Sequence, residues 1–281
     1  MLVGEGPLTD AAFLSGQGPD ILVIDATRLS FATPLDLAGM VATAHWAAEV
    51  SIAVILKLPQ NLEMASYLQR MHVVRHMPPH TKILGPVLSG ALADDPLSME
   101  VTPLNPKNMD DLVERVGPLV TDFYKAYTAE GGAAAFRACS ELMSNATEHG
   151  VSGRGAFVAV QLHTGTESRC PRLEFAVCDT GVGVMNHLRR NPAYEYLTRD
   201  EVAISKAMEP GVSGIRADRR GNGLSDSVDG ARPFGTVSLQ IRSGKGEVRV
   251  AGTPEGQTHI QNSRPDQTVG TWAWLTHRLV G

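Results

Sequence analysis

Long uncharged apolar runs, cysteines and aromatic residues are scarce in this chain. Its longest apolar window, residues 50–58, contains Lys57 and is far shorter than the roughly 18 residues needed to cross a bilayer. Neither a basic segment nor an apolar run follows Met1, so we expect no signal peptide and no membrane partner. The three cysteines are an odd number without metal-ligand spacing, which predicts reduced thiols and a cytoplasmic location.

An excess of positive charge is also lacking. With 25 Lys and Arg against 30 Asp and Glu, the net charge is −5, and the charged residues are spread along the chain. A general nucleic-acid surface needs a basic stripe that displaces counterions from phosphates. We therefore expect no nucleic-acid partner, although single phosphate groups remain acceptable ligands.

The most informative stretch that is present runs from residue 136 to residue 150. It contains no proline and ends at Gly150, which predicts a helix with a glycine stop. Glu141, Asn145 and His149 recur every fourth residue and share one stripe of that helix. A carboxylate, an amide and an imidazole in line are suited to a metal, a water and a phosphate, but a solvated helix face explains them equally well.

Two glycine-rich stretches favour the functional interpretation. Asp179-Thr-Gly-Val-Gly183 follows the apolar alternation of a predicted strand at residues 173–177. Gly221-Asn-Gly-Leu224 is a second glycine pair that opens a helix-like run. Glycines allow close backbone approach, and backbone N–H groups at such turns face anions.

In this order the three stretches resemble the GHKL superfamily of ATPases and kinases, which includes gyrase, MutL, histidine kinases and anti-sigma-factor kinases. The helix at residues 136–150 resembles the N box, and the two glycine stretches resemble the first and second glycine boxes. Gly270-Thr-Trp-Ala-Trp-Leu275 resembles the strand that closes the adenine pocket. The resemblance covers roughly residues 110–281 and implies ATP and Mg²⁺ as cofactors.

The resemblance also implies a role for individual residues. Glu141 would be the catalytic group that polarises a water or hydroxyl, and Asn145 would hold Mg²⁺. Asp179 would accept a hydrogen bond from the adenine amino group, with Thr271 assisting through a bridging water. His149 would contact phosphate, or else serve only as a cation at the helix end. The backbone lining the nucleotide would come from Gly181, Gly183, Gly221, Asn222, Gly223 and Leu224.

Residues 1–78 predict a smaller α/β domain. Apolar runs at 21–24 and 52–56 alternate with helical patterns at 34–50 and 62–70, which predicts a small parallel or mixed sheet. The stretch loosely resembles a STAS domain, the fold of anti-sigma-factor antagonists. The phosphate-accepting serine motif of that family is missing, and the nearby hydroxyls Ser30 and Thr33 are expected to cap a helix or form a turn.

Residues 79–108 are predicted to be a connector, because prolines recur through 76–107; a short strand is expected at 82–84. Residues 109–127 show helical spacing that Gly117-Pro118 should kink or restart. The apolar stripe of this helix predicts core packing beside the Glu141 helix, and a homodimer contact is the alternative.

Further strands are expected at 156–162 and 271–275, a hairpin at 236–241 and 247–250, and a lid at 185–220.

The predicted class is therefore α/β (α+β): a C-terminal GHKL (Bergerat) sandwich at 109–281, with a mixed sheet against helices, preceded by the STAS-like βαβα domain. We find no histidine in a phosphoacceptor helix motif and expect no transducer domain after residue 281, so the resemblance is best to the short cytoplasmic type, the anti-sigma-factor kinases. We expect a regulator that phosphorylates a protein partner or hydrolyses ATP to switch it. An ATP-gated binding module without turnover is the alternative, and modification of the N-terminal half in cis is a third hypothesis.

Overall fold

The computed structural model describes residues 21–88, 95–149, 155–165, 170–212 and 228–279. These residues form one parallel sheet of three strands and one antiparallel sheet of five strands, with helices packed against both. The predicted α/β (α+β) class is confirmed.

The parallel sheet lies in the N-terminal part and follows the predicted alternation of strand and helix. Strands β1 (Ile21–Asp25), β2 (Ala53–Lys57) and β3 (Lys82–Leu84) are neighbours in that order. Helix α1 (Pro34–Glu49) connects β1 to β2, and α2 (Leu62–Arg70) follows β2. The short strand predicted at 82–84 is confirmed and completes this sheet.

Helix α1 is buried between the two sheets. Thr33 caps it, since its hydroxyl accepts from Asp36 N at 3.2 Å, while Asp36 Oδ2 accepts from Thr33 N at 2.9 Å. The capping role expected for Thr33 is thus confirmed, and this hydroxyl is buried. One apolar cluster joins α1 to residues of the five-stranded sheet, among them Phe157, Ala176 and Trp272. The two parts of the chain therefore share a core.

The five-stranded sheet has the order β4-β5-β6-β8-β7. Its strands are β4 (Ser98–Leu104), β5 (Ala156–His163), β6 (Arg172–Asp179), β7 (Gly235–Thr253) and β8 (Gly256–Leu279). All of its described pairings are antiparallel, so the mixed sheet that we expected here is not found. Strand β4 also lies within the predicted connector; it is tolerated despite Pro103 because it lies at the sheet edge, where one side needs no ladder hydrogen bonds.

Helices α3 (Met109–Lys125) and α4 (Ala129–His149) cover the face of this sheet opposite α1. Helix α3 runs through Pro118 without restarting. Its apolar stripe is buried in the core and packs beside α4, as predicted; a Cβ at Gly117 would already lie 3.4 Å from the Phe136 ring. Helix α4 begins seven residues earlier than the sequence pattern indicated, at Ala129 rather than Phe136.

The predicted hairpin at 236–241 and 247–250 is wrong. Both segments belong to the single strand β7, which pairs with β8, and the chain turns between Thr253 and Gly256 instead. The glycines that suggested a turn serve close packing, because a Cβ on Gly246 would lie 2.4 Å from Glu201 N. The helix that approaches there is α6 (Asp200–Ala207), in the described part of the predicted lid, which also contains α5 (Val184–Leu188).

Within the described ranges, no helix is both long and apolar enough to span a bilayer.

Candidate functional site

Asp179 is the centre of the candidate site. It is the last residue of β6, a central strand whose side chains are buried on both faces. Along β6, Leu173, Phe175 and Val177 pack in the cluster that contains α3 and α4. Asp179 is an even number of residues from these three, so its side chain points to the same side of the sheet, the side covered by α3 and α4.

Two backbone donors hold the Asp179 carboxyl in place. Its Oδ1 accepts from Gly181 N at 2.8 Å and from Thr271 N at 3.2 Å. Among the described residues, Oδ2 has no hydrogen-bond partner. Burial raises the pKa of this carboxyl to about 7, although both N–H donors act to lower it. The group is therefore a buried acceptor that is partly ionised at neutral pH.

Gly270 brings β8 close to Asp179. Its φ is +74°, and a Cβ there would lie 2.2 Å from the Asp179 carbonyl oxygen. The register explains this approach: Ser243 pairs with Thr271, but the next β7 residue, Gly244, pairs with Thr268. Two β8 residues, 269 and 270, therefore form a bulge with no counterpart on β7.

The glycine stretch at residues 179–183 lies against the same bulge. Gly183 has φ +77° and caps α5. The next residue, Val184, donates its N–H to Ser243 Oγ at 2.9 Å, and Ser243 Oγ donates to the Gly270 carbonyl at 2.8 Å. The structure thus brings Asp179, Gly181, Gly183 and Thr271 together, and their role in binding stays a prediction.

Glu141 and Asn145 lie on α4, the helix that packs on the Asp179 face. Both are half-buried, whereas Cys139, Leu142 and Met143 point into the core. In the described part of the chain, neither polar side chain has a hydrogen-bond partner, and neither is hydrogen-bonded to Asp179.

Four predicted site residues, Gly221, Asn222, Gly223 and Leu224, lie outside the described residues. So does His149 beyond its backbone, which ends α4.

A metal site made only of charged or thiol ligands is not found in the described ranges, where no three His, Cys, Asp or Glu side chains cluster. The predicted Mg²⁺ ligand is of another kind, a single amide oxygen. Asn145 fits that role because its amide is half-buried and has no described partner. Mg²⁺ keeps several waters and takes phosphate oxygens, so one protein ligand is sufficient.

Ser243 is the site residue that the sequence reasoning missed. The Ser-Gly-Lys-Gly stretch suggested a turn, so this serine was given no role. Its side chain is buried to 2% exposure inside a strand. The sequence does contain a signal for this strand: apolar residues alternate with polar ones on both sides of the stretch, which is typical of one continuous strand.

Comparison of the chain with models of protein families found no match. Comparison with curated proteins also found none.

Comparison with solved structures matches the chain to the B subunit of DNA gyrase from Myxococcus xanthus, with a TM-score of 0.22 and 14% identity. The match covers 42% of this chain and 30% of the gyrase chain. This likeness is weak, so the chemistry of the site has to follow from its own residues.

Proposed function

We propose that the protein binds ATP with Mg²⁺ in a GHKL-type pocket and uses it to regulate a protein partner. The observation that carries the proposal is the buried Asp179 carboxyl, held by Gly181 N and Thr271 N. The second oxygen, Oδ2, has no hydrogen-bond partner among the described residues, so it can accept a hydrogen bond from a ligand donor. An exocyclic amino group of a purine is such a donor.

The purine would lie between the Asp179 end of the sheet and helix α4. Oδ2 of Asp179 would accept from the adenine amino group, and Thr271 would assist through a water. The first glycine box supplies backbone beside the ribose and phosphates, where a side chain at Gly183 would meet Ser243 Oγ at 2.8 Å. The second box, at 221–224, is assigned to the phosphates from the sequence resemblance.

The residues of α4 would carry out the chemistry at the triphosphate end. Bound Mg²⁺ neutralises charge on the phosphate oxygens, and Asn145 would hold it. Glu141, one turn earlier, would orient a water or a partner hydroxyl and accept its proton as that oxygen bonds to the γ-phosphorus and ADP leaves. His149, one turn later, is proposed as a phosphate contact.

We propose that the protein phosphorylates a serine or threonine of its protein partner. The alternative reaction is ATP hydrolysis that switches the state of the partner. In this proposal residues 109–281 with edge strand β4 form the nucleotide-binding unit, and residues 1–78 with β3 form a STAS-like docking unit. Only the part of 79–108 outside β3 and β4 would serve as a connector. The outer hydroxyl Ser30 is exposed and is the candidate acceptor for modification in cis, whereas Thr33 is buried in its cap.

Turnover separates catalysis from ATP-gated binding, the alternative function. Purified protein is incubated with labelled ATP and Mg²⁺, alone and with candidate partners, and ATP binding is measured in parallel. We expect Glu141→Ala to bind ATP and to lose turnover. The matched control is Glu148→Ala, an exposed carboxylate on the same helix bonded to Ser144, which should keep turnover.

Binding without turnover in the wild-type protein would favour the ATP-gated module. Absence of binding would refute the proposal as a whole.

A further inference from the structure

Ser243 stands between the two segments that would enclose the nucleotide. Its hydroxyl accepts from Val184 N at 2.9 Å and donates to the Gly270 carbonyl at 2.8 Å. The first contact holds the end of the first glycine box. The second holds the bulge that presents Thr271.

The bulge explains why a side chain is needed at this point. Residues 269 and 270 have no counterparts on β7, so the Gly270 carbonyl has no regular ladder partner from that strand. The Ser243 hydroxyl supplies the donor. Asp179 Oδ1 in turn supplies the acceptor for the N–H of the next residue, Thr271. The side chains of Ser243 and Asp179 thus make the hydrogen bonds that backbone groups of neighbouring strands make elsewhere in the sheet. They do so at the point where the adenine is proposed to bind.

The packing around Ser243 is close. Ser243 is 2% exposed, and a Cβ on Gly183 would lie 2.8 Å from its Oγ and 3.4 Å from the Gly270 carbonyl oxygen. The loop, the hydroxyl and the bulge are therefore in direct contact. Loss of the hydroxyl would leave a half-buried N–H and a buried carbonyl without this partner, which favours separation of the two segments.

We propose that Ser243 is a positioning residue for the nucleotide: its hydroxyl fixes the first glycine box relative to Thr271 and Asp179. This inference rests on the proposed nucleotide-binding function. Ser243 touches no reacting atom and acts through Val184 and Gly270.

The test compares MgADP affinity by calorimetry in wild-type protein, Ser243→Ala and Ser238→Ala. Ser238 is the matched control, because it lies on the same strand and its hydroxyl accepts from Arg249 Nε instead. We expect about a tenfold loss of affinity in Ser243→Ala, the effect of roughly one hydrogen bond to a charged-group network, and wild-type affinity in Ser238→Ala.

The effect of Ser243→Ala on MgADP affinity should depend on Asp179. A purely structural role of Ser243 would not produce this dependence. In an Asp179→Asn background, Ser243→Ala should lower the affinity by less than about twofold, since contacting residues of one network are non-additive. Amide hydrogen exchange should accelerate at Val184 in Ser243→Ala. Val184→Pro, which removes the same donor at a helix position that accepts proline, should also weaken MgADP binding, and it serves if Ser243→Ala does not fold.

Wild-type affinity in both Ser243→Ala and Val184→Pro would overturn the positioning role and leave the proposed function intact. An undiminished effect of Ser243→Ala in the Asp179→Asn background would also overturn it. If wild-type protein itself fails to bind MgADP, the proposed function fails first, and the exchange rate at Val184 then shows only whether the hydroxyl holds the loop.

Discussion

At the scale of single residues, the buried carboxyl of Asp179 has the most direct consequence for binding. Its pKa is raised to about 7 because burial disfavours the charged form. In the free protein this group favours folding most at low pH, and that contribution is lost as pH rises through 7. A ligand that donates a hydrogen bond to the carboxylate reverses the preference, because it stabilises the ionised form.

We therefore expect MgADP affinity to rise with pH between pH 6 and 8. For a pKa near 7, the ionised fraction, and with it the affinity, increases about tenfold over this interval. Titration calorimetry at several pH values measures it. Asp179→Asn should bind about tenfold to a hundredfold more weakly at pH 8 and show no rise. A pH-independent wild-type affinity would contradict this role of Asp179.

A second buried group, His277, should make the protein acid-sensitive. Its ring is fully buried, its Nδ1 lies 2.8 Å from the Tyr124 hydroxyl, and burial lowers its pKa to about 4. The unfolded chain binds a proton near pH 6.5 and the folded chain does not, so stability falls as pH drops from 6.5 to 4. The full difference corresponds to about 3 kcal/mol.

Urea unfolding at pH 7 and pH 4.5 measures this contribution. His277→Phe keeps a ring at the stacked position and removes the titration, so its loss of stability on acidification should be smaller than that of the wild type. Equal losses in the two proteins would assign the acid sensitivity to other groups, such as His163, whose pKa is also lowered to about 4.

At the scale of elements, the bulge in β8 depends on Gly270. Both Gly270 and Gly211 have positive φ, but only Gly270 lacks space: a Cβ would meet Asp179 at 2.2 Å, whereas at Gly211 nothing lies within 4 Å. Gly211→Ala should cost about 1 kcal/mol for the backbone conformation alone. Gly270→Ala should cost about 1–3 kcal/mol more through overpacking and should abolish MgADP binding.

Unfolding in urea and calorimetric binding on both variants test this difference. Equal stability of the two alanine variants, or MgADP binding by Gly270→Ala, would show that the close approach is dispensable.

How well each element could be predicted depended on where its determinants lie along the chain. Helix α2 and the strand around Phe175 follow from local apolar periodicity. The hydrogen bond from Thr271 N to Asp179 was not predicted, because it joins residues that are 92 positions apart. Strand β7 was divided at its glycines because the helix that requires them, α6, approaches from more than 35 residues away in sequence. Ser243 was missed for the same reason: its partners are 27 and 59 residues distant.

At the scale of the whole molecule, the shared core around α1 has a thermodynamic consequence. The back of the five-stranded sheet carries Phe157, Ala176 and Trp272, which pack in one cluster with α1. We therefore expect the full chain to unfold in a single cooperative transition, because neither layer buries its apolar face alone.

A fragment of residues 109–281 lacks α1 and edge strand β4, so it should show no cooperative thermal transition. Circular dichroism on the fragment and on the full chain makes the comparison. A fragment that melts cooperatively and binds MgADP would show instead that the predicted nucleotide-binding unit is independent.

Alternation along β8 places two neighbours on opposite sides of the sheet: Thr271 on the side of Asp179 and Trp272, only 6% exposed, against α1. Trp272 is one of three tryptophans in the chain. An indole one peptide away from the proposed purine contact is a built-in optical probe, whose emission should change when nucleotide is added and stay constant in Trp272→Phe. Occupancy of the pocket can thus be followed without labelled ligand, through a chromophore on the reverse side of the sheet.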